Sequence, residues 1–320
     1  MPPKKRKATE SEVVSSTNKR VARSSTRPSA PVAHESLSAK ASNATPKTSH
    51  NSNSTVKKNP DKVEPKSDKI NATHNAGNAS LSSSTPANIE TLLITSDLVK
   101  SPLTCALYPS SKASQTSAPT LIFTHGAGGT LSAPAVVNFC TGFASYLPVL
   151  VFQGSMNLGS RVKGFHACVQ HLSDKGERKK GSGRLVLGGR SMGARAAVMA
   201  ASDVLESSSK DTRIDVILVS YPLQGPKDVR DQILMDLPAS VNVLFVIGDR
   251  DNMCPLDLLE GVRGKMKATS HLVVVRGADH GMHTKPAKVE RERGEESGRI
   301  AAEWVDGKVL DDVVYIGEET

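Results

Sequence analysis

From residue 89 onward, short runs rich in Val, Ile and Leu alternate with segments of helical periodicity. Most runs lack the polar alternation of a sheet with one solvated face, so we expect strands buried on both faces of a mostly parallel sheet. The alternation predicts one doubly wound α/β domain over residues 89–320, a size that one core can support. The predicted strands are 90–95, 104–108, 120–124, 148–152, 184–187, 214–220, 241–247 and 272–275.

Between these runs, several segments are typical of helices. Apolar residues at helical spacing fall within 136–147 and again within 258–266. The segment 288–299 mixes both signs of charge, which favours a solvated helical face, with a partner-binding surface as the alternative. We expect the residues after it to pack Trp304 onto the sheet.

Residues 1–88 are dominated by Ser, Thr, Asn, Ala, Lys and Pro, and their few apolar residues follow no period. Such a segment cannot bury enough apolar surface to offset its ordering entropy, so we predict a disordered tail. Residues 1–89 hold 15 Lys/Arg and 6 Asp/Glu of the chain's 41 and 32, which leaves 26 and 26 for the remainder. The basic excess therefore lies in the tail, and direct nucleic-acid binding by the domain is not expected.

Two basic clusters lie near the start of the tail. Lys4, Lys5, Arg6 and Lys7 are separated by 11 residues from Lys19 and Arg20. This spacing predicts a bipartite nuclear-localisation signal, read by an import receptor through residues 4–20. We therefore expect a nuclear protein, with the cytoplasm as a second location. The alternatives are a solubilising tail or weak contacts to nucleic-acid phosphates, although no aromatic residues are interleaved for stacking.

The cysteine spacing and the length of the apolar runs indicate which classes of protein to exclude. The cysteines Cys105, Cys140, Cys168 and Cys254 show no CxxC spacing, so we expect reduced thiols rather than a disulfide frame or a zinc site. No apolar run approaches the ~18 residues that a membrane span needs. We expect no membrane partner, no metal and no other cofactor.

The segment 184–201 carries the most specific motif. A buried strand leads into Gly189-Arg190-Ser191-Met192-Gly193, and a run of small helix-forming residues follows. This is G-x-S-x-G in a strand–turn–helix context, the arrangement that exposes a nucleophilic serine in α/β hydrolases. Ser191 is the predicted nucleophile, and Gly189 and Gly193 are the positions where a side chain would collide. An ordinary strand–helix turn is the alternative.

A glycine-rich loop follows another buried strand, at Thr124-His125-Gly126-Ala127-Gly128-Gly129. In hydrolases a loop at this place supplies half of the oxyanion hole, and the N–H after the nucleophile supplies the rest. We therefore predict donors at Met192 and at either Ala127 or Gly128. A phosphate-binding loop is the weaker alternative, because neither phosphate-loop spacing is present. His125 precedes the serine and is expected to be structural.

The acid and the base should follow the serine in that order. After the predicted strand 241–247 come Asp249 and Asp251, of which we prefer Asp251. Asp249 would more naturally pair with Arg250 or cap the turn. A carboxylate at this strand end can accept the imidazole N–H and hold its tautomer.

The base is expected in the loop after the predicted strand 272–275, where His280 lies. His283 and His271 are the alternatives, although His271 lies at a strand start and hence at the opposite edge of the sheet. Together these groups predict acyl transfer through a Ser191–Asp251–His280 triad, with no metal required.

The motifs HGAGG, GGRSMGARAA, GDRD and GADH together resemble the α/β-hydrolase-like family of KANSL complex subunit 3 and testis-expressed protein 30, whose broader relatives are dienelactone-hydrolase-like enzymes. The resemblance covers roughly residues 90–305. It implies the same triad roles for Ser191, Asp251 and His280. It also implies that Arg190 and Arg195 belong to the family pattern, either steadying the turn or gripping an anionic substrate.

The sequence also bears on the substrate. Between Leu223 and the strand 241–247 there is room for only one short helical segment, 226–237, and not for a large lid. A small or medium acyl substrate is therefore expected, cleaved by an esterase or thioesterase activity. The alternative is a non-catalytic scaffold or a subunit of a nuclear chromatin-modifying complex, since one branch of the resembling family is such a subunit.

Overall fold

The computed structural model describes residues 89–112, 120–177, 183–207 and 212–318 of the chain. The predicted tail, with its nuclear-localisation clusters, lies outside the described residues. The strands are β1 (Glu90–Ile94), β2 (Leu103–Tyr108), β3 (Leu121–Thr124), β4 (Val149–Phe152), β5 (Gly183–Arg190), β6 (Thr212–Val219), β7 (Val241–Gly248), β8 (Thr269–Val275) and β9 (Val313–Ile316). The helices are α1 (Pro134–Ala144), α2 (Leu158–Asp174), α3 (Met192–Ser207), α4 (Gln232–Met235), α5 (Leu256–Arg263) and α6 (Ala287–Val305).

All of these strands form one sheet, in the order β1-β2-β4-β3-β5-β6-β7-β8-β9. The pairs from β4 to β9 are parallel, whereas β1 pairs with β2 and β2 with β4 in antiparallel fashion. The mostly parallel α/β sheet expected from the sequence is confirmed. The exceptions to two-sided burial are the edge strands, because Leu93 on β1 is 65% exposed and Tyr315 on β9 is 55% exposed.

Helices cover both faces of the sheet. Helices α2, α3, α4 and α5 pack on one face, through side chains such as Phe165, Ala197 and Leu259. Helices α1 and α6 pack on the other, through Phe139 and Trp304. Trp304 is buried, as expected, and the charged segment before it belongs to the same continuous helix.

Two features differ from the sequence prediction. Strand β9 was not predicted, because it has only four residues and its Tyr315 is exposed, so no buried apolar run announces it. The predicted helical segment 226–237 contains only α4, and Gln224 and Val229 before it form an isolated antiparallel bridge. The described residues between β6 and β7 therefore form no large lid. No described helix has the length and apolar character to cross a bilayer.

The strand order places one point of the sheet where a ligand can bind. After β3 the chain first adds β4 on one side and then β5 on the other. In open α/β sheets, the loops that leave such a reversal point diverge to opposite faces and open a crevice at the carboxyl ends of the strands. The glycine-rich loop follows β3 and Ser191 follows β5, so both predicted motifs lie at this crevice.

Candidate active site

Ser191 occupies a sharp turn between β5 and α3. Its φ is 52°, in the left-handed region that residues other than glycine rarely adopt. The turn is held by its backbone, because Ser191 N–H donates to Val219 O at 2.9 Å and Ser191 O accepts from Arg195 N–H at 3.2 Å. The hydroxyl is therefore presented above the carboxyl edge of the sheet by a fixed main chain.

The two flanking glycines permit this turn. A Cβ on Gly189 would lie 2.4 Å from the carbonyl carbon of Gly193. A Cβ on Gly193 would lie 2.6 Å from Thr124 O and 2.7 Å from His125 O. These neighbours are backbone atoms and cannot swing aside. Glycine at 193 thus also lets α3 approach the loop after β3.

Ser191, His280 and Asp251 form one hydrogen-bonded chain. Ser191 Oγ lies 2.9 Å from His280 Nε2. His280 Nδ1 lies 2.9 Å and 3.0 Å from the two carboxylate oxygens of Asp251. The Asp251 side chain is fully buried and that of His280 is 24% exposed. With Nδ1–H donating to the carboxylate, Nε2 is left unprotonated and can accept the serine proton.

The alternatives left open by the sequence lie elsewhere. Asp249 accepts the Gly277 N–H at 2.6 Å and so caps the turn instead of meeting the imidazole. His283 pairs with Glu290 at 3.2 Å. His271 lies on β8, with Nδ1 3.4 Å from the main-chain oxygen of Asp311. Of the predicted acids and bases, the structure brings only Asp251 and His280 to Ser191.

Arg190, whose role the sequence left open, supports the histidine loop. Its Nη2 donates to the main-chain oxygen of His280 at 2.6 Å. Burial lowers the pKa of this guanidinium, while the nearby carboxylates of Asp251 and Asp279 act in the opposite direction. The buried Nε of Arg195 has no hydrogen-bond partner among the described residues, so the structure assigns no role to Arg195.

The glycine-rich loop lies against the serine. A Cβ on Gly126 would be 3.3 Å from Ser191 Cβ. Ala127 N–H donates to no acceptor among the described residues, whereas Gly128 N–H donates to Met156 Sδ at 2.8 Å. Met192 begins α3, so its N–H has no partner within the helix. Among the described residues, the N–H groups of Met192 and Ala127 therefore have no acceptor, whereas that of Gly128 has one.

His125 holds this loop in place. Its Nδ1 lies 2.7 Å from Gly126 O, and its Nε2 accepts the Gly154 N–H at 3.0 Å. These two bonds require the neutral ring protonated on Nδ1. Burial lowers the pKa of His125, which favours that neutral form, although its bond to Gly126 O acts the other way. The geometry is that of the structural histidine expected from the sequence.

Arg161, which the sequence did not suggest, lies beneath the same loop. It is fully buried on α2. Its guanidinium donates to four main-chain oxygens, those of His125, Gly126 at 3.4 Å, Gly154 at 3.3 Å and Ser155 at 2.9 Å. Burial lowers its pKa to about 10, so it remains charged at neutral pH. It joins the loops after β3 and β4 into one unit.

The described part of the chain contains no cluster of three His, Cys, Asp or Glu side chains placed to hold a metal ion. The four cysteines are free and buried. Burial raises the pKa of Cys254, near the acid loop, to about 12, so this thiol stays protonated.

The doubly wound sheet and the Ser–His–Asp chain at its carboxyl edge define an α/β-hydrolase type of protein. A family model for the alpha/beta hydrolase domain matches residues 117–306, more than half of the chain. The chain therefore belongs to the alpha/beta hydrolase domain family.

Solved structures show the same fold at low sequence identity. An alpha-beta serine hydrolase homologue from Coxiella burnetii is 18% identical, with 64% of this chain and 95% of that chain covered and a TM-score of 0.50. Est1E from Butyrivibrio proteoclasticus is 15% identical, with 68% and 99% covered and a TM-score of 0.51. At these identities the likeness concerns the fold.

Proposed function

We propose that this protein is a serine hydrolase that cleaves ester or thioester bonds of small or medium acyl groups. The observation that carries the proposal is a pair of consecutive hydrogen bonds. Ser191 Oγ lies 2.9 Å from His280 Nε2, and His280 Nδ1 lies 2.9 Å from the Asp251 carboxylate. A scaffold would gain nothing from an aligned nucleophile, base and buried acid. The printed name of the serine hydrolase homologue from Coxiella burnetii agrees with this chemistry but concerns that protein.

The first half of the reaction forms an acyl-enzyme. Ser191 Oγ bonds to the acyl carbon while its proton passes to His280 Nε2, and Asp251 stabilises the resulting imidazolium. The carbonyl oxygen becomes an oxyanion that accepts hydrogen bonds from Met192 N–H and Ala127 N–H. The bond to the alcohol or thiol then breaks, and the leaving group takes the proton from His280.

Water completes the cycle. A water molecule attacks the acyl carbon and gives a proton to His280, after which the bond to Ser191 Oγ breaks and the serine recovers that proton. The product is the free acid. Gly128 is the alternative oxyanion donor, but it could act only after Met156 releases its N–H.

The test is covalent labelling of the purified full-length protein with a fluorophosphonate probe. We expect the wild type to be labelled, and Ser191→Ala and His280→Ala to lose labelling. Ser202→Ala, on α3, and His166→Ala, whose imidazole bonds Asp203 on the surface, are the matched controls that should label normally. A folded wild type that does not react would contradict the enzyme proposal and favour the non-catalytic scaffold.

At a finer level, we propose that the chain belongs to the branch that includes KANSL complex subunit 3 and testis-expressed protein 30, on the strength of the motif GGRSMGARAA. We also propose entry into the nucleus through residues 4–20, where chromatin-complex proteins would be partners. A fluorescent fusion lacking residues 1–88 should leave the nucleus. A deletion fusion as nuclear as the full-length one would refute the import proposal.

A further inference from the structure

A cavity of about 370 Å³ lies at the carboxyl edge of the sheet, away from Ser191. Three segments line it: the connection 98–103 between β1 and β2, residues 152–155 at the end of β4, and Ser160 and Lys163 of α2. Its volume falls within the ~300–1,000 Å³ usual for small-molecule sites. The triad itself does not line it, so the cavity is a separate candidate binding site.

The charges around this cavity are of one sign. Lys100 and Lys163 line it, and no aspartate or glutamate does. Neither lysine forms an ion pair with another described residue, and Asp97, close in sequence, lines a different cavity. Behind the wall, the buried Arg161 guanidinium binds the main-chain oxygens of Gly154 and Ser155. The cavity should therefore attract an anion.

The same cavity also has an apolar part. Leu98, Val99, Pro102 and Leu103 contribute to its wall, and Leu98 is 43% exposed. The lining serines, Ser101, Ser155 and Ser160, add hydroxyl groups that can form hydrogen bonds. A ligand that fits this surface has an apolar chain and an anionic end.

A series of neighbouring contacts links the cavity wall with the serine. Ser155, in the cavity wall, is followed by Met156, which is 63% exposed and accepts the Gly128 N–H through Sδ. Gly126, two residues before Gly128, lies against Ser191. A flexible thioether side chain accommodates varied apolar chains, so Met156 is suited to line the path. Strand β3 alone separates β4 from β5, a span of roughly 10 Å at ~4.8 Å per strand.

We propose that the cavity binds the anionic far end of the acyl group, so that the preferred substrates are esters or thioesters of medium-chain dicarboxylic acids. The inference rests on the proposed hydrolase function and specifies its substrate class. The acyl carbon lies at Ser191, the chain passes over Met156, and the terminal carboxylate meets Lys100 and Lys163. An acyl chain of about eight carbons spans the two strand spacings.

The experiment compares kcat/KM for p-nitrophenyl monoesters of dicarboxylic acids, from four to twelve carbons, with the neutral esters of equal chain length. We expect the dicarboxylate esters to gain only at the longer lengths, by tenfold or more near eight to ten carbons. The gain should shrink at 0.5 M salt, because exposed ammonium groups are screened.

Variants test the site itself. In Lys100→Ala/Lys163→Ala the preference should fall at least fivefold, whereas kcat/KM for the neutral esters should stay within twofold of the wild type. Lys265→Ala, an exposed lysine after α5, is the matched control and should keep the preference. A dicarboxylate ester no better than its neutral partner at every length, or a preference that survives the double substitution, would overturn the inference.

The neutral esters and the fluorophosphonate probe separate this inference from the function beneath it. If both report an active Ser191 while no preference is seen, the cavity proposal fails and the hydrolase proposal stands. If neither the probe nor any ester reacts with the folded wild type, the hydrolase proposal fails and the substrate class fails with it.

Discussion

Replacing Arg161 tests whether its buried guanidinium organises the glycine-rich loop after β3. In Arg161→Lys the positive charge is kept, but one ammonium on an unbranched stem cannot reach all four main-chain oxygens that the planar guanidinium serves. At least two of these oxygens then lose their donor. Because an unsatisfied buried acceptor costs about 1–3 kcal/mol, the free energy of unfolding should fall by roughly 2–6 kcal/mol.

The stability loss is measured by urea and thermal unfolding. For a domain of this size each kcal/mol lowers Tm by about 2–4 °C, so a decrease of roughly 4–24 °C is expected. Arg299→Lys is the matched control, since Arg299 is 40% exposed and its ion pairs with described residues lie within α6. Its effect should stay within about 0.5 kcal/mol, as for most surface changes.

Catalysis provides the second measurement. Removal of one oxyanion donor costs about 10²–10³ in kcat, and a loosened loop should cost less, about 10–100-fold, with little change in KM. Unfolding and kcat both equal to those of the wild type would refute the assigned role of Arg161. A lower Tm with unchanged kcat would restrict that role to the fold.

The remaining predictions concern three other groups. Asp251→Asn should lower kcat by about 10⁴-fold with Tm nearly unchanged, because the isosteric amide no longer holds the required tautomer; activity above a tenth of wild type would contradict the assigned acid. Gly193→Ala should lower the free energy of unfolding by about 1–3 kcal/mol, because its Cβ would lie 2.6 Å from Thr124 O. Gly261→Ala is the control: its Cβ would meet open space at a position within α5, so the same urea titration should show no loss or a gain in stability. Folding lowers the pKa of His125, so below about pH 6.5 the unfolded chain binds a proton more readily than the folded chain. The free energy of unfolding should therefore fall as the pH falls through that range, by at most about 1.4 kcal/mol per pH unit. His125→Gln should lose this part of the pH dependence in unfolding titrations at pH 5 and 7.5, and parallel curves for the two proteins would count against it.

Local patterns in the sequence were sufficient for the frame of the site. The motif around Ser191 is contiguous, and its strand–turn–helix context is visible in the apolar run before it and the small residues after it. The order of parallel strands then placed the acid and base loops at the same edge of the sheet. The motif around Ser191 and the strand ends before the acid and base loops are short-range signals, because neighbouring residues determine a turn or a strand end.

The choice between similar groups depended on the tertiary structure. Asp249 and Asp251 lie two residues apart on one loop. The sequence favoured Asp251 as the acid, and the folded chain shows the partners: Asp249 accepts the Gly277 N–H, and Asp251 accepts the His280 N–H. Likewise Gly128 differs from Ala127 because the Sδ atom of Met156, in the loop after β4, accepts the Gly128 N–H. Contacts between distant loops leave no local pattern for the sequence to display.

The sequence by itself determined the fold class, because burial on both faces of a parallel sheet imposes apolar runs and helical periods that can be read directly. Only the tertiary structure assigned Arg161 to the loops after β3 and β4, since an arginine at a helix start looks like any surface cation until its partners are known. The cavity lined by Lys100 and Lys163 has the same origin. It exists because the connection between β1 and β2 meets the end of β4 and the start of α2, which lie far from it in sequence.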